Sequence, residues 1–241
     1  MTNMNQPTEQ EVAQFYDTVY YKTETLHAIR PLAHYRKMVA FLQPIKRGGA
    51  CLDIGCGTGL FLKAAEEAGL KVFGVDISQR AVDIAQQKVP TASVVRSKGE
   101  ELPFEARMFD YIFFGGTLEH FMDVDRGLQE AIRVAKNDAT FLIVVPNKDY
   151  WLWKVRGTYG THQSELRELL LDRAGWESLF KRHGIKPVRA HHDPWPRESV
   201  TIFKFWNPWR ILRRAVYRLI WLFVPLRYTY QFVFVCRRVS Q

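Results

Sequence analysis

A chain of 241 residues, 47% of them hydrophobic, is long enough to bury one substantial core and too short for two full domains. Its formal net charge is +9, and eight positive charges fall between Ser199 and Gln241, a stretch without a single acidic residue, so the remainder of the chain is nearly neutral. Three cysteines, Cys51, Cys56 and Cys236, show no metal-ligand spacing, which excludes a thiolate metal site and fits a reducing, cytoplasmic setting.

The opening residues, Met1 to Glu11, are polar, lack the basic-then-apolar order of a signal peptide and are expected to form a mobile tail. Helices are expected over Phe15–Tyr21 and Ala28–Leu42, covering the front of whatever site follows, with Pro44 and Gly48-Gly49 turning the chain into the first strand. Short apolar runs then alternate with amphipathic ones. Strands are expected at 50–54, 71–75, 92–96, 109–114 and 140–145, and helices near 60–68, 79–88 and 125–135, the order of a parallel, doubly wound sheet. A further helix is expected to begin near Ser164 and end before Gly175, and Ile185–Ala190 and Tyr230–Arg237 complete the sheet. No apolar run approaches the roughly twenty residues that span a bilayer.

The most informative stretch is Ala50-Cys51-Leu52-Asp53-Ile54-Gly55-Cys56-Gly57-Thr58-Gly59-Leu60-Phe61, followed by Val72-Phe73-Gly74-Val75-Asp76. A buried strand, a glycine turn where bare backbone approaches a ligand, and an amphipathic helix form a nucleoside cradle. Asp76, about twenty residues after the turn at the end of the next apolar run, is placed to accept hydrogen bonds from ribose hydroxyls. The dinucleotide pattern requires a third glycine where Leu60 stands, so NAD is disfavoured.

Leu-Asp-Ile-Gly-Cys-Gly-Thr-Gly closely resembles the first motif of the class I S-adenosylmethionine-dependent methyltransferases. Glu100-Glu101-Leu102-Pro103-Phe104, then Phe109-Asp110-Tyr111-Ile112 and Thr117-Leu118-Glu119-His120-Phe121, extend the resemblance over roughly residues 30 to 190. It implies an α/β, Rossmann-like, seven-stranded sheet, mostly parallel with an antiparallel last strand. The implied divisions are a helical lid (1–44), a catalytic core (45–202 and 228–241) and an insertion (203–227). It also implies S-adenosylmethionine as cofactor, held by Asp53, Gly55, Cys56, Gly57, Thr58, Gly59, Asp76, Ile77, Glu100, Leu102, Gly115 and Gly116. Arg36 is expected to pair with the cofactor carboxylate, as an arginine before strand one does in similar enzymes. Lys98 stands where the family often has aspartate, which passes that role to Glu100.

Methyl transfer to a hydroxyl is helped by a base. His120 is the first candidate, since its loop faces the transferring methyl in relatives and imidazole titrates near neutrality; Glu119 and His162 are the others. Each has a plainer reading, as a loop-orienting or helix-covering residue. Tyr16 and Tyr21 in the lid and Asn147 after strand five are expected to meet the acceptor, although aromatic packing also accounts for tyrosines there. The ubiquinone-biosynthesis O-methyltransferases look similar at Glu119-His120 and at Gly160-Thr161-His162, but carry an additional acid where this chain has Gly116, so no metal site is expected. Pro146-Asn147 is not the Asn/Asp-Pro-Pro-Tyr box of nucleic acid aminomethyltransferases, which weakens a nucleobase target.

Within the 203–227 insertion, Arg210, Arg213, Arg214 and Arg218 share one helical face, with Ile211, Leu212, Leu219 and Phe223 elsewhere and Trp206, Trp209 and Trp221 alongside. Core packing, nucleic acid binding and attachment to an anionic membrane surface all fit this pattern. Tryptophans at both ends beside an arginine stripe favour the membrane boundary, on the inner face of a membrane. The expected protein is a peripheral methyltransferase acting on a small or lipid-linked hydroxyl; an RNA-directed enzyme and a non-catalytic binding module are the alternatives.

Overall fold

The structure is a computed structural model and describes residues 8–21, 30–156, 168–194 and 224–239. Seven strands form one sheet: β1 (Ala50–Ile54), β2 (Lys71–Asp76), β3 (Ser93–Arg96), β4 (Phe109–Gly115), β5 (Ala135–Pro146), β6 (Ile185–His192) and β7 (Gln231–Arg238), in the spatial order β3-β2-β1-β4-β5-β7-β6. The first five pair in parallel, while β7 runs antiparallel to both β5 and β6. The strand order reverses between β1 and β4, where open α/β sheets place their ligands beyond the strand ends.

The central strands are apolar on both faces because helices cover both. Phe109, Ile112 and Phe114 of β4 join Phe141, Ile143 and Val145 of β5 and Phe232 and Phe234 of β7 in one core. Tyr111 and Phe113, Leu142 and Val144, and Val233 and Val235 point into the other. This is the two-residue alternation of side chains in a strand. The first core is closed by α5 (Val124–Val134) and α7 (Arg173–Arg182) through Leu128, Ala131, Trp176 and Phe180; the second by α2 (Leu32–Ala40), α3 (Leu60–Glu67) and α4 (Gln79–Lys88) through Met38, Phe61, Leu62 and Val82.

Several boundaries differ from the sequence expectation. Residues Glu9–Phe15 form α1, started by a reciprocal cap between Thr8 and Glu11, so the polar opening is helical from Glu9 onward; Tyr16–Tyr20 continue as a π-helical turn. β5 begins at Ala135 rather than Thr140, paired with Phe109 ahead of an irregularity in β4. In place of the expected helix end before Gly175, α7 starts at Arg173. Asp172 caps α7 by accepting from the Gly175 main-chain N–H at 2.8 Å, so Gly175 lies in the first turn. The residues expected to begin that helix, and almost all of the basic insertion (203–223), lie outside the described residues. Among the described residues no helix is long and apolar enough to cross a membrane.

Candidate active site

The glycine turn between β1 and α3 is tied directly to β2: the N–H groups of Gly55 and Cys56 both donate to the Val75 carbonyl, at 2.8 and 2.9 Å. Gly55 has φ +77° and a Cβ there would lie 2.3 Å from Thr117, so both backbone conformation and space require glycine. Gly57, at φ +51°, sits beneath the lid, where a Cβ would come within 3.0 Å of the Tyr21 hydroxyl. The turn is thus a bare main-chain surface with an aromatic roof.

Two carboxylates face this surface. Asp76, at the end of β2, accepts from the Gly57 N–H at 2.8 Å through Oδ2 and from the Ser78 N–H at 3.0 Å through Oδ1. Burial raises its pKa to about 6, against the lowering pull of those N–H groups. Asp53, in β1, is only 2% exposed, and its Oδ1 has no hydrogen-bond partner. Burial, and secondly the charge of Asp76, pushes its pKa well above the usual carboxylate range. A buried acceptor without a donor is costly, and a ligand ammonium or N–H would satisfy it.

A cavity of about 410 Å³ joins these groups, within the range of small-ligand sites. Asp53, Gly55, Cys56, Gly57, Thr58, Asp76, Ile77, Glu100, Gly115, Gly116 and His120 all line it, as do Tyr16 and Tyr21 of the lid. Gly59 supplies the helix start, with φ +75°. Glu100 accepts from the N–H groups of Met122 and Asp123, at 2.9 and 3.4 Å, thereby joining the loop after β3 to the loop after β4. The Cys56 thiol is buried, which pushes its pKa up and keeps it protonated.

Other expected site residues lie elsewhere. Arg36 is 56% exposed on α2 and pairs with Glu67 at 2.8 Å, away from the cavity, so its guanidinium is committed to a surface ion pair. Leu102 is core, with its N–H donating to Glu130. Asn147 is fully buried; its Nδ2 donates to the carbonyls of Arg227 and Thr229 at 2.8 and 2.9 Å, and its Oδ1 accepts from the Asp149 N–H. It ties the end of β5 to the approach to β7 instead of facing the cavity. His162 lies outside the described residues.

Glu119 follows β4 in a single 3-10 turn with His120. It is 1% exposed, and burial, reinforced by the charge of Glu168, raises its pKa to about 8. Glu9, Val12, Tyr20, Tyr35, Phe121, Met122 and Arg126 also line the cavity, and periodicity gives no sign of this because they converge from separate elements. The lid is held down at two points: Asp17 accepts from the Ser78 hydroxyl and from the Arg80 N–H, and Glu9 pairs with Lys98 at 2.8 Å.

Residues 52–143 match a family model described as a methyltransferase domain. Among curated proteins, the demethylmenaquinone methyltransferase of Shouchella clausii is 31% identical over 144 residues, covering 55% of this chain and 61% of that one. The 2-phytyl-1,4-naphtoquinone methyltransferase of Trichormus variabilis is 37% identical over 108 residues, covering 41% and 47%. The chain therefore spans about half to three-fifths of the length of these relatives. Among solved structures, Haemonchus contortus phosphoethanolamine N-methyltransferase 2, in complex with S-adenosylhomocysteine, superposes with a TM-score of 0.70 at 19% identity, over 98% of this chain and 62% of that one. Burkholderia thailandensis 1,6-didemethyltoxoflavin-N1-methyltransferase gives 0.66 at 18%, over 99% and 94%; the [4+2]-cyclase SpnF gives 0.70 at 18%, over 98% of both chains. A cyclase in this company shows that the fold does not by itself determine the reaction.

Proposed function

We propose that this protein transfers a methyl group from S-adenosylmethionine to the hydroxyl of a small quinone-related or lipid-linked acceptor. The observation that carries this reading is that one cavity holds the glycine turn, the unsatisfied Asp53 oxygen and Asp76 together with His120. Bound there, the cofactor supplies an electrophilic methyl group on a sulfonium. Asp76 would accept from the ribose hydroxyls, Asp53 from the amino-acid end, and the main chain of Gly55 and Gly57 would lie flat against the ligand. Tyr20 packs edge to face against both Tyr16 and Tyr21, with ring centroids 5.4 and 5.0 Å apart, and the three rings would close the front and exclude water.

The acceptor would enter beside Gly116 and His120. His120 would be placed to take the proton of an acceptor hydroxyl aligned with the cofactor's methyl group, with Glu119 as its neighbour in the same turn. Naphthoquinone-type methyltransferases among the relatives support a quinone-related acceptor. The basic, tryptophan-bearing segment 203–227 supports delivery from an anionic membrane surface, since each basic residue near such a surface contributes about 1 kcal/mol. The test is incubation of the purified protein with methyl-labelled donor and separate lipid, small-metabolite and RNA extracts. Label in a quinone-like or lipid product is expected; label only in RNA, or in nothing, defeats the proposal.

A further inference from the structure

Gln231 opens β7 opposite Pro146, at the same end of the sheet as the turn after β4. Its main chain is fixed there, because its carbonyl accepts from the Asp193 N–H at 3.3 Å and from the Thr229 hydroxyl at 3.1 Å. The side chain is fixed too. Its Oε1 accepts from Nη2 of Arg30, and Arg30 is held in turn by the Asp193 carboxylate at 3.0 Å and the His34 ring at 3.1 Å. A guanidinium can only donate, so Arg30 dictates that the amide oxygen faces it and the amide nitrogen faces away.

That nitrogen is turned toward the cavity wall. A Cβ at Gly116 would lie 3.8 Å from Nε2 of Gln231 and 3.6 Å from Oε1 of Glu119. Gly116 lines the cavity, and its φ of +77° favours glycine. The missing side chain leaves a window from the cavity onto these two polar groups. An independent feature marks the window as a binding place: Glu119 is 1% exposed, yet its Oε2 has no hydrogen-bond partner, and such a group is costly until a ligand satisfies it.

We propose that Gln231, oriented by Arg30, acts with Glu119 as the specificity subsite for the methyl acceptor, gripping a carbonyl oxygen on the molecule whose hydroxyl is methylated. Nε2 of Gln231 supplies donors only, which disfavours a cation. The Arg30 charge is balanced by Asp193, so no surplus positive charge calls for an anion. Burial raises the Glu119 pKa to about 8, which keeps its carboxyl protonated at neutral pH and able to donate as well. Neutral donors around a dry window suit a neutral oxygen acceptor, and a site built on such bonds rejects an analogue that lacks the oxygen. The inference rests on the methyl-transfer reading and leaves His120 as the proton acceptor.

The experiment loads full-length protein with S-adenosylhomocysteine and titrates it with two phenols of the same skeleton, 4-hydroxyacetophenone and 4-ethylphenol, followed by ligand-observed nuclear magnetic resonance at a pH where both are neutral. Only the first carries a carbonyl. The wild type should bind it at least fivefold more tightly than the second. Gln231→Glu keeps an oxygen for Arg30 but replaces the amino group, so it should lose the preference while retaining S-adenosylhomocysteine. Gln231→Met, of similar length and without donors, should lose it as well and supplies the answer if the charged variant fails to fold. Equal affinities in the wild type, binding of neither phenol, or an undiminished preference in a folded variant overturns the subsite. Failure of the wild type to take up S-adenosylhomocysteine would instead defeat the methyltransferase reading.

Discussion

The main-chain N–H of Gly57 donates to Oδ2 of Asp76 at 2.8 Å, so the residue expected to meet the ribose also braces the turn on which the cofactor would lie. Asp76→Ala should therefore have two effects. It leaves the N–H groups of Gly57 and Ser78 without their carboxylate, costing about 1–3 kcal/mol of stability. It should also weaken S-adenosylhomocysteine binding at least tenfold. Calorimetry and thermal melting measure both, and normal affinity would remove Asp76 from the ribose role.

Because the pKa of Asp76 is raised to about 6, its carboxylate takes up a proton as pH falls through that value, and a protonated acid accepts hydrogen bonds from hydroxyls less well. Nucleoside affinity should decline between pH 7 and pH 5 in the wild type. Asp76→Asn, which does not titrate, should bind weakly but with a flatter profile. Parallel profiles would assign the pH dependence to another group.

Asp17 fastens the lid to the start of α4 by accepting from the Ser78 hydroxyl and the Arg80 N–H. Losing such bonds costs about 1–1.5 kcal/mol, so Asp17→Ala should speed S-adenosylhomocysteine release roughly tenfold by stopped-flow measurement. An unchanged off-rate would mean that the lid does not limit exchange.

His34 is buried 3.8 Å from Asp193, yet burial and the adjacent Arg30 guanidinium hold its pKa down at about 3. Below about pH 6.5 the unfolded chain protonates this histidine while the folded chain does not, so stability falls as pH drops through that window, by roughly 2 kcal/mol at pH 5. Wild-type melting temperature should fall more steeply from pH 7 to pH 5 than that of His34→Gln. Equal slopes would show that His34 is charged in the fold.

What was legible in the chain follows from how local each signal is. The run from β1 to α4 reads directly, because the glycine turn, the apolar runs and the Ser78 cap are properties of a few adjacent residues. The start of α7 did not, since Gly175 is a stop signal by composition and a first-turn residue only once Asp172 caps it. Arg36 looks like a cofactor ligand until Glu67, 31 residues away, occupies it. Asn147 likewise follows a strand tip, but only its long-range bonds to Arg227 and Thr229 show that it is structural. The approach of Glu168 to Glu119 depends on a main-chain bond between distant segments, which no spacing rule encodes.

The turn at Gly55–Gly59, with Asp53 and Asp76, is proposed to seat a sulfonium nucleoside. Calorimetric titration of the full chain with S-adenosylhomocysteine tests it most directly. One site per chain is expected, with affinity reduced at least tenfold in both Asp53→Asn and Asp76→Asn. A wild-type protein that gives no binding heat and no melting shift with millimolar ligand would contradict it.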